Sequence, residues 1–254
     1  YAKLIDFWRT SSPADRQGFS EGCRRMRLMV SGSAALPVST LETWKEISGH
    51  VLLERYGMTE IGMALSNPLH GMRVPGAVGT VLPGVEARLV DDAGEPVAPG
   101  TPGEIEVRGE TVFFEYWRRP KETRQAFRDG WFRTGDVAVF ENGSYRILGR
   151  NSVDIIKTGG EKVSALEIES ILLTHPAIRE CAVVGVPDPI WGEKVCAALV
   201  PEAGQKPDAI VLRAWIKERL APYKTPKEIA ILHELPRNAM GKPIKTELKA
   251  FFQL

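Results

Sequence analysis

The chain has 254 residues, of which 43% are hydrophobic and 26% are charged, a balance that is ordinary for a globular protein. The 33 basic and 32 acidic side chains leave a net charge of +1, which offers no electrostatic footprint for nucleic acid or an anionic membrane. We therefore expect no nucleic-acid partner. No apolar run is long enough to span a bilayer, so we expect no membrane insertion either.

Two predicted strands bring small and polar residues to one edge of a sheet. The first covers Arg27–Val30 and runs into SGSAALP, the small residues 31–37. The second, the apolar run Val51-Leu52-Leu53, ends in the polar turn RYGMTE at 55–60. Because parallel strands end at the same edge, we expect the two loops to share a ligand. Alone, RYGMTE is equally typical of a strand that ends in a solvated loop.

A helix is predicted between these strands, over Ser39–Ser48. Ser39 and Glu42 have the spacing of a capping box, and Gly49 is the expected end. The apolar face consists of Leu41, Trp44 and Ile47. Strand, loop, helix and strand in this order predict a parallel α/β layer over residues 1–75.

From residue 76 the pattern changes to short β-rich runs separated by Pro, Gly and Asp turns. Val85–Val90 and Glu104–Val107 alternate apolar and polar residues. Val137–Phe140 and Tyr145–Leu148 flank Asn142-Gly143, which is a strong hairpin signal. We therefore predict a β-rich, barrel-like subdomain over residues 76–149, which completes a large domain over residues 1–149.

We place a domain boundary at Gly149-Arg150, where the pattern changes again. A glycine-rich turn, Lys157-Thr158-Gly159-Gly160, precedes a helix capped by Ser164, with Glu167 as its capping-box partner. Two strands, a helix over Asp208–Leu220, a further strand and a terminal helix follow. Residues 150–254 are thus predicted to form a small α+β domain, and the fold class is α/β plus α+β.

The cysteine pattern favours a reduced, cytoplasmic compartment. Cys23, Cys181 and Cys196 lie far apart and lack Cys-x-x-Cys spacing. The four histidines are equally dispersed, which argues against a structural zinc site. The sequence carries no signal for the oligomeric state.

Four motifs stand in a fixed order: GSAALP at 32–37, RYGMTE at 55–60, WFRTGD at 131–136 with GR at 149–150, and PRNAMGK at 236–242. Each is weak alone, since Asp136 is also typical of a turn and Lys242 of a solvated surface. Together they show that the chain resembles the adenylate-forming acyl-CoA synthetase family over essentially its whole length. The resemblance implies a two-step ligase, which forms an acyl-AMP from a carboxylate and ATP and then an acyl-CoA thioester. It also implies ATP or AMP, Mg²⁺ and coenzyme A as co-substrates, and a mobile C-terminal domain.

The resemblance assigns several residues to the nucleotide. The nucleotide-binding set is Gly32, Ser33, Ala34, Tyr56, Gly57, Asp136 and Arg150. The small residues would lie against the adenine, on which Tyr56 would stack. Asp136 would accept hydrogen bonds from both ribose hydroxyls, and Arg150 would contact ribose or phosphate.

The catalytic assignments also come from the resemblance. Lys242 looks like the adenylation lysine, whose ammonium stabilises developing charge. Thr59 would donate to the α-phosphate, and Glu60 would hold Mg²⁺. Gly159 and Gly160 resemble the turn that lines the pantetheine tunnel. The segment 150–160 is one residue longer than the family pattern, so Ser152 and Asp154 are both hinge candidates.

Arg55 carries the question of the acid substrate. A guanidinium suits a second carboxylate, which it can grip with two hydrogen bonds, and ERYGMTE with SVDIIKTGG looks most like the malonyl-CoA synthetase branch. We therefore predict malonate or a related small dicarboxylate, with Ser31 or Ser33 assisting Arg55. The alternative is that Arg55 pairs with Glu54 or another acid and only braces the loop.

The family's phosphate-binding loop, rich in Ser, Thr and Gly, should lie upstream and is absent from this chain. We therefore expect the 254-residue piece alone to bind nucleotide weakly and to be poorly active. Three alternatives stay open. One is a short- or medium-chain fatty acyl-CoA synthetase, another is a domain that loads a carrier protein, and the third is a non-catalytic nucleotide-binding or interaction fragment.

Overall fold

The computed structural model describes residues 1–239 and 241–252. Met240 of the PRNAMGK motif and the last two residues of the predicted small domain lie outside the described residues. The chain divides into two compact units, Tyr1–Ile147 and Leu148–Leu254. Each unit has its own core.

Three helices pack together at the start of the first unit: α1 (Ala2–Thr10), α2 (Pro13–Arg24) and α3 (Val38–Ser48). Their shared core is built around Trp44 of α3, which is fully buried in one cluster with Ile5 of α1 and Cys23 of α2. The helix α3 ends at Gly49 in the left-handed conformation, as predicted.

The predicted capping box of α3 is wrong. The N-cap of this helix is Pro37, and no side chain caps it. Since α3 already begins at Val38, Ser39 lies inside the first turn and not at the N-cap position, from which a side chain accepts hydrogen bonds from the first helical amides.

The first sheet has the order β1-β2-β3-β4, with β1 (Val30–Ser31), β2 (Leu53–Met58), β3 (Gly62–Ser66) and β4 (Thr80–Val81). The strands β1 and β2 are parallel, with Val30 opposite Leu53, whereas β3 pairs antiparallel with both β2 and β4. The prediction that RYGMTE is a polar loop is therefore wrong, since most of it lies in β2. The apolar run after it, with Ile61, Ala64 and Leu65 fully buried, makes β3 the second arm of a hairpin.

The second sheet of this unit contains β5 (Val85–Val90), β6 (Gly103–Gly109), β7 (Phe127–Arg128), β8 (Trp131–Glu141) and β9 (Ser144–Arg150). Its order is β5-β6-β8-β7, with β9 paired to β8, and a short helix α4 (Pro120–Ala126) precedes β7. Asn142 and Gly143 both have positive φ, as a type I′ hairpin turn requires. The predicted β-rich region and its Asn-Gly hairpin are confirmed.

The second unit is α+β, as predicted. It contains β10 (Ile155–Thr158), β11 (Glu161–Ser164), α5 (Ala165–Leu172), β12 (Ile178–Asp188), β13 (Gly192–Pro201), α6 (Ala209–Lys217), β14 (Glu228–Ile231) and α7 (Lys245–Lys249). The strand order is β11-β10-β13-β12, and β14 joins β13 in parallel. Ser164 caps α5 by accepting from the Glu167 amide at 3.1 Å, but the Glu167 carboxylate binds the Lys224 ammonium at 2.7 Å instead of completing a capping box.

The sheet of the second unit is covered on both faces. One face packs against α5 and α6 through Ile168, Leu172, Leu212 and Ile216. Side chains from the alternate positions of β12 and β13 pack against Leu248 and Phe252 near the end of the chain. Among the helices of the described part of the chain, none combines the length and the apolar character that a membrane span needs.

Candidate active site

A tyrosine and an aspartate from different sheets of the first unit meet in a hydrogen bond. The hydroxyl of Tyr56 on β2 donates to Asp136 Oδ2 on β8 at 2.7 Å. Asp136 is only 8% exposed, and its amide donates to Thr134 Oγ1 at 3.1 Å. Thr134 in turn donates to the carbonyl of Ile105 at 2.8 Å. The carboxylate is thereby fixed on a rigid strand, with an aromatic ring beside it.

Glu60 is held by a loop that the sequence reading did not single out. The hydroxyl of Tyr116 donates to Glu60 Oε1 at 3.0 Å, and the amide of Phe113 donates to the Glu60 carbonyl at 2.8 Å. The two rings pack edge to face, with centroids 4.7 Å apart. The available signal was the density of aromatic residues in this segment, FFEYW at 113–117. Thr59, immediately before Glu60, is exposed.

The small-residue loop after β1 lies against Arg55. Ser31 is opposite Glu54 in the parallel ladder, which brings the next residue, Gly32, to Arg55. A Cβ on Gly32 would lie 3.3 Å from the Arg55 carbonyl oxygen and 3.4 Å from its Cγ. Ser33 has a φ of 69°, and both it and Ala34 are exposed. The small-residue loop and Arg55 of the RYGMTE segment therefore lie close together, although Arg55 is part of strand β2 and not of a loop.

The Arg55 side chain lies on the face of β2 opposite to its acidic neighbour. Its Nη1 contacts the sulfur of Met63, and no carboxylate of the described residues is within ion-pair distance. Glu54 points the other way, is 6% exposed and accepts from the Gly76 amide at 3.0 Å. Burial raises the pKa of Glu54 to about 7, although the hydrogen bond from the Gly76 amide lowers it in part. Glu54 therefore does not brace Arg55.

Gly57 is required by the backbone of the β2–β3 hairpin. The register between these strands shifts between Tyr56 and Gly57. A Cβ on Gly57 would lie 2.1 Å from the Gly62 carbonyl oxygen, which is far too close for any other residue. The extra residue of this bulge is Ala64 on β3, because the single step from Tyr56 to Gly57 opposes two steps from Leu65 to Met63. The nucleotide contact expected of Gly57 stays a prediction.

The second unit begins with a tight turn that contains Arg150 and both hinge candidates. We call residues 150–154 the hinge turn. The Arg150 amide donates to Asp154 Oδ2 at 3.0 Å, and the Asp154 amide donates to the Arg150 carbonyl at 2.7 Å. Arg150 and Ser152 are exposed, whereas Asp154 is partly buried.

The glycine-rich turn between β10 and β11 has the backbone that its sequence demands. Gly159 and Gly160 have φ of 59° and 85°, in the left-handed region that favours glycine. A Cβ on Gly159 would lie 3.1 Å from the ring of Trp191, whose carbonyl accepts from the Gly159 amide at 2.9 Å. A Cβ on Gly160 would meet nothing within 4 Å. Trp191 was not among the predicted site residues.

Lys242 lies on a loop that is closed on itself. We call residues 236–244 the lysine loop. Its described residues are joined by hydrogen bonds from the Lys242 amide to Asn238 Oδ1 at 3.0 Å and from the Asn238 amide to the Lys242 carbonyl at 2.9 Å. Arg237 donates to the Gly241 carbonyl and pairs with Glu180 on β12. The loop thus presents Lys242 on an exposed but braced turn.

The donor set fits a magnesium ion that is shared with a phosphate ligand. No cluster of three or more His, Cys, Asp or Glu residues able to enclose a metal occurs among the described residues. Glu60 is a half-buried carboxylate that Tyr116 holds through Oε1 alone. Mg²⁺ is commonly bound by one or two carboxylates together with substrate phosphates and water, so this arrangement suits such an ion.

Two family models match the chain. The model described as AMP-binding enzyme matches residues 4–117, and the one described as AMP-binding enzyme C-terminal domain matches residues 167–242. Together they cover most of the chain, and one match lies in each of its compact units.

Similar proteins include two malonate–CoA ligases. The mitochondrial one from Mus musculus is 52% identical over 98% of this chain and 46% of its own length. The one from Arabidopsis thaliana is 48% identical over 98% of this chain and 42% of its own length. The crystal structure of ATP-bound MatB from Rhodopseudomonas palustris superposes with a TM-score of 0.87 at 40% identity, over 99% of this chain and 53% of that one. The chain thus spans about half the length of the relatives it matches.

Proposed function

Because the chain belongs to the family of AMP-binding enzymes, we propose that it forms part of an ATP-dependent acid–CoA ligase that acts on malonate or a related small dicarboxylate. The observation that carries this proposal is that the guanidinium of Arg55, on β2 beside the small-residue loop, has no carboxylate partner among the described residues. Malonate–CoA ligases occur among the similar proteins, which supports the same substrate class.

The nucleotide would bind at the edge of the first sheet, over Gly32, Ser33 and Ala34. These residues leave room for a flat ring, and Tyr56 would stack on it. The Asp136 carboxylate, which accepts from the Tyr56 hydroxyl and whose backbone amide donates to Thr134, would accept from the ribose hydroxyls. Arg150 of the second unit would contact ribose or phosphate.

Arg55 would bind the carboxylate of the dicarboxylate that does not react. A free guanidinium near an apolar substrate chain would be costly, whereas the second carboxylate of malonate provides a two-point partner. Ser31 or Ser33, in the loop beside it, would add a hydroxyl.

In the first step an oxygen of the reacting carboxylate attacks the α-phosphorus of ATP, and pyrophosphate leaves, which yields an acyl-AMP. Lys242 would stabilise the negative charge that develops between carboxylate and α-phosphate, and Thr59 would donate to that phosphate. Mg²⁺, when bound by Glu60 and the phosphates, would neutralise charge on the nucleotide.

In the second step the thiol of coenzyme A loses its proton and attacks the acyl carbon, and AMP leaves. The space around Gly160 is open, since a Cβ built there would have no atom within 4 Å. This opening beside Gly159 would leave a path for the thiol arm of coenzyme A. The hinge turn would allow the small domain, which we assign to the second unit, to serve both steps.

The test is ATP–pyrophosphate exchange by the full-length protein with malonate and with octanoate. We expect malonate to support exchange and octanoate to fail. Arg55→Ala should lower malonate-dependent kcat/KM at least about tenfold, and Arg55→Lys should recover only part of it, because lysine lacks the bidentate fork. A preference for octanoate would replace this proposal with a fatty acyl-CoA synthetase.

The cytoplasmic location expected from the cysteine pattern remains a prediction, since the mouse relative is named a mitochondrial enzyme.

A further inference from the structure

A buried cluster of three charged side chains lies in the second unit. The ammonium of Lys245, the first residue of α7, is 2.6 Å from Asp154 Oδ1 and 2.7 Å from Glu169 Oε1. The three side chains are 11%, 17% and 14% exposed, in that order. Burial lowers the pKa of Lys245, but attraction by Glu169 and Asp154 outweighs it, so the pKa is raised on balance and the ammonium stays charged.

Each carboxylate of the cluster also holds a backbone amide. Asp154 Oδ2 accepts from Arg150 at 3.0 Å and so closes the hinge turn. Glu169, on α5, accepts from the amide of Val183 on β12 at 2.7 Å. One ammonium therefore joins the hinge turn to α5, β12 and the start of α7.

Lys245 also follows directly after the lysine loop. The Ile244 amide donates to the Pro236 carbonyl at 2.8 Å and closes the base of that loop. Lys245, the next residue, therefore connects this base to Asp154 and Glu169. Lys242 lies three positions before Lys245.

Stability does not explain a cluster of this kind. Replacing a buried ion pair by apolar residues of similar volume is often neutral or stabilising, because desolvation offsets the attraction between the charges. What the cluster provides is a fixed geometry, since one ammonium with two short contacts determines where the hinge turn and the base of the lysine loop lie relative to each other.

We propose that Lys245 is a positioning residue that locks the hinge turn to the base of the lysine loop, so that the two move as one body. Asp154 is then the anchored end of the hinge turn. The catalytic consequence, placement of Lys242, rests on the proposed function. The mechanical lock itself does not.

The experiment compares two variants of the full-length protein by hydrogen exchange and mass spectrometry. Glu169→Gln is the control, because it keeps the acceptor for Val183 and leaves the Lys245–Asp154 pair in place. The double variant Lys245→Met with Glu169→Gln removes the link, yet keeps the cluster's net charge at its original value. Because Glu169 is replaced together with Lys245, the double variant does not leave two buried carboxylates without a cation.

In the double variant we expect the peptides that carry residues 149–155 and Lys242 to exchange at least about tenfold faster than in the control, with the strands β12 and β13 unchanged. We also expect pyrophosphate exchange to fall about tenfold in kcat, with the KM for ATP within about twofold of the control. Asp154→Asn should speed exchange in the lysine loop, to which Lys245 connects Asp154 among the described residues.

Equal exchange in the double variant and the control would overturn the lock, whatever the activity. Faster exchange spread over the whole second unit would also overturn it, since that is the result of a loss of stability alone. If the parent protein shows no acid-dependent pyrophosphate exchange, the proposed function fails, while the hydrogen-exchange comparison still decides the lock.

Discussion

At the scale of single residues, the hydrogen bond between Tyr56 and Asp136 joins two sheets of the first unit. A side-chain bond between a ring and a carboxylate that are 80 residues apart in sequence orients both groups before any ligand binds. Preorganisation of this kind lowers the entropy lost on binding.

Asp136→Asn should raise the KM for ATP about tenfold, because an amide keeps only one oxygen to accept from ribose hydroxyls. Tyr56→Phe, which keeps the ring, should have a smaller effect of about threefold. Initial rates of pyrophosphate exchange at varied ATP measure both. The ranking would be contradicted by a tyrosine variant more impaired than the aspartate variant.

Glu54 makes stability depend on pH. Its pKa is raised by burial to about 7 in the folded chain, against an ordinary value near 4.3. The folded state therefore holds the proton more tightly. This contribution to the free energy of unfolding is full below about pH 4.3 and is lost as pH rises through about 7.

Thermal unfolding between pH 5 and 8 tests this, with Glu54→Gln as the matched variant that cannot titrate. We expect the parent protein to lose about 3 kcal/mol relative to the variant over this pH range. Parallel curves for the two proteins would show that Glu54 keeps its ordinary pKa.

At the scale of elements, the β2–β3 hairpin sets the direction of the chain before Glu60. It depends on Gly57, where an added Cβ would lie 2.1 Å from the Gly62 carbonyl oxygen. We expect Gly57→Ala to destabilise the first unit by about 2 kcal/mol or more, since two backbones must separate.

Gly18→Ala is the control for this substitution. Gly18 lies in α2, and a Cβ there would meet nothing within 4 Å. Alanine should therefore stabilise the helix by about 0.5–1 kcal/mol. Thermal unfolding followed by circular dichroism gives both shifts. If both substitutions shifted the unfolding temperature in the same direction, the close approach of Gly57 to the Gly62 carbonyl would not be the cause.

The elements that the sequence could predict are those in which local pattern and tertiary packing agree. Ser164 was recognisable as a cap because the helix after it has both a capping hydroxyl and an apolar face. Ser39 was misleading because α3 already begins at Val38, with Pro37 as its N-cap. The strand character of RYGMTE depends on pairing with β3, a tertiary effect that polar side chains hide. Tyr116 could not be assigned, since its partner Glu60 lies 56 positions away.

At the scale of the whole molecule, the chain spans about half the length of the relatives it matches, and the site that we propose would be completed by the remainder. We expect the 254-residue chain alone to bind ATP at least about tenfold more weakly than the full-length protein. Its malonate-dependent exchange should be barely detectable. Titration calorimetry and exchange assays on both proteins test this, and full activity of the shorter chain would contradict the expectation.

The sheet of the second unit is filled on both faces by side chains from the same unit. Such a piece carries the determinants of its own fold, so recombination can transfer it between relatives without rebuilding an apolar core. Selection on the acid substrate would then act on Arg55 and its surroundings in the first unit. The second could be inherited as an interchangeable part, provided that Lys245, Asp154 and Glu169 travel together.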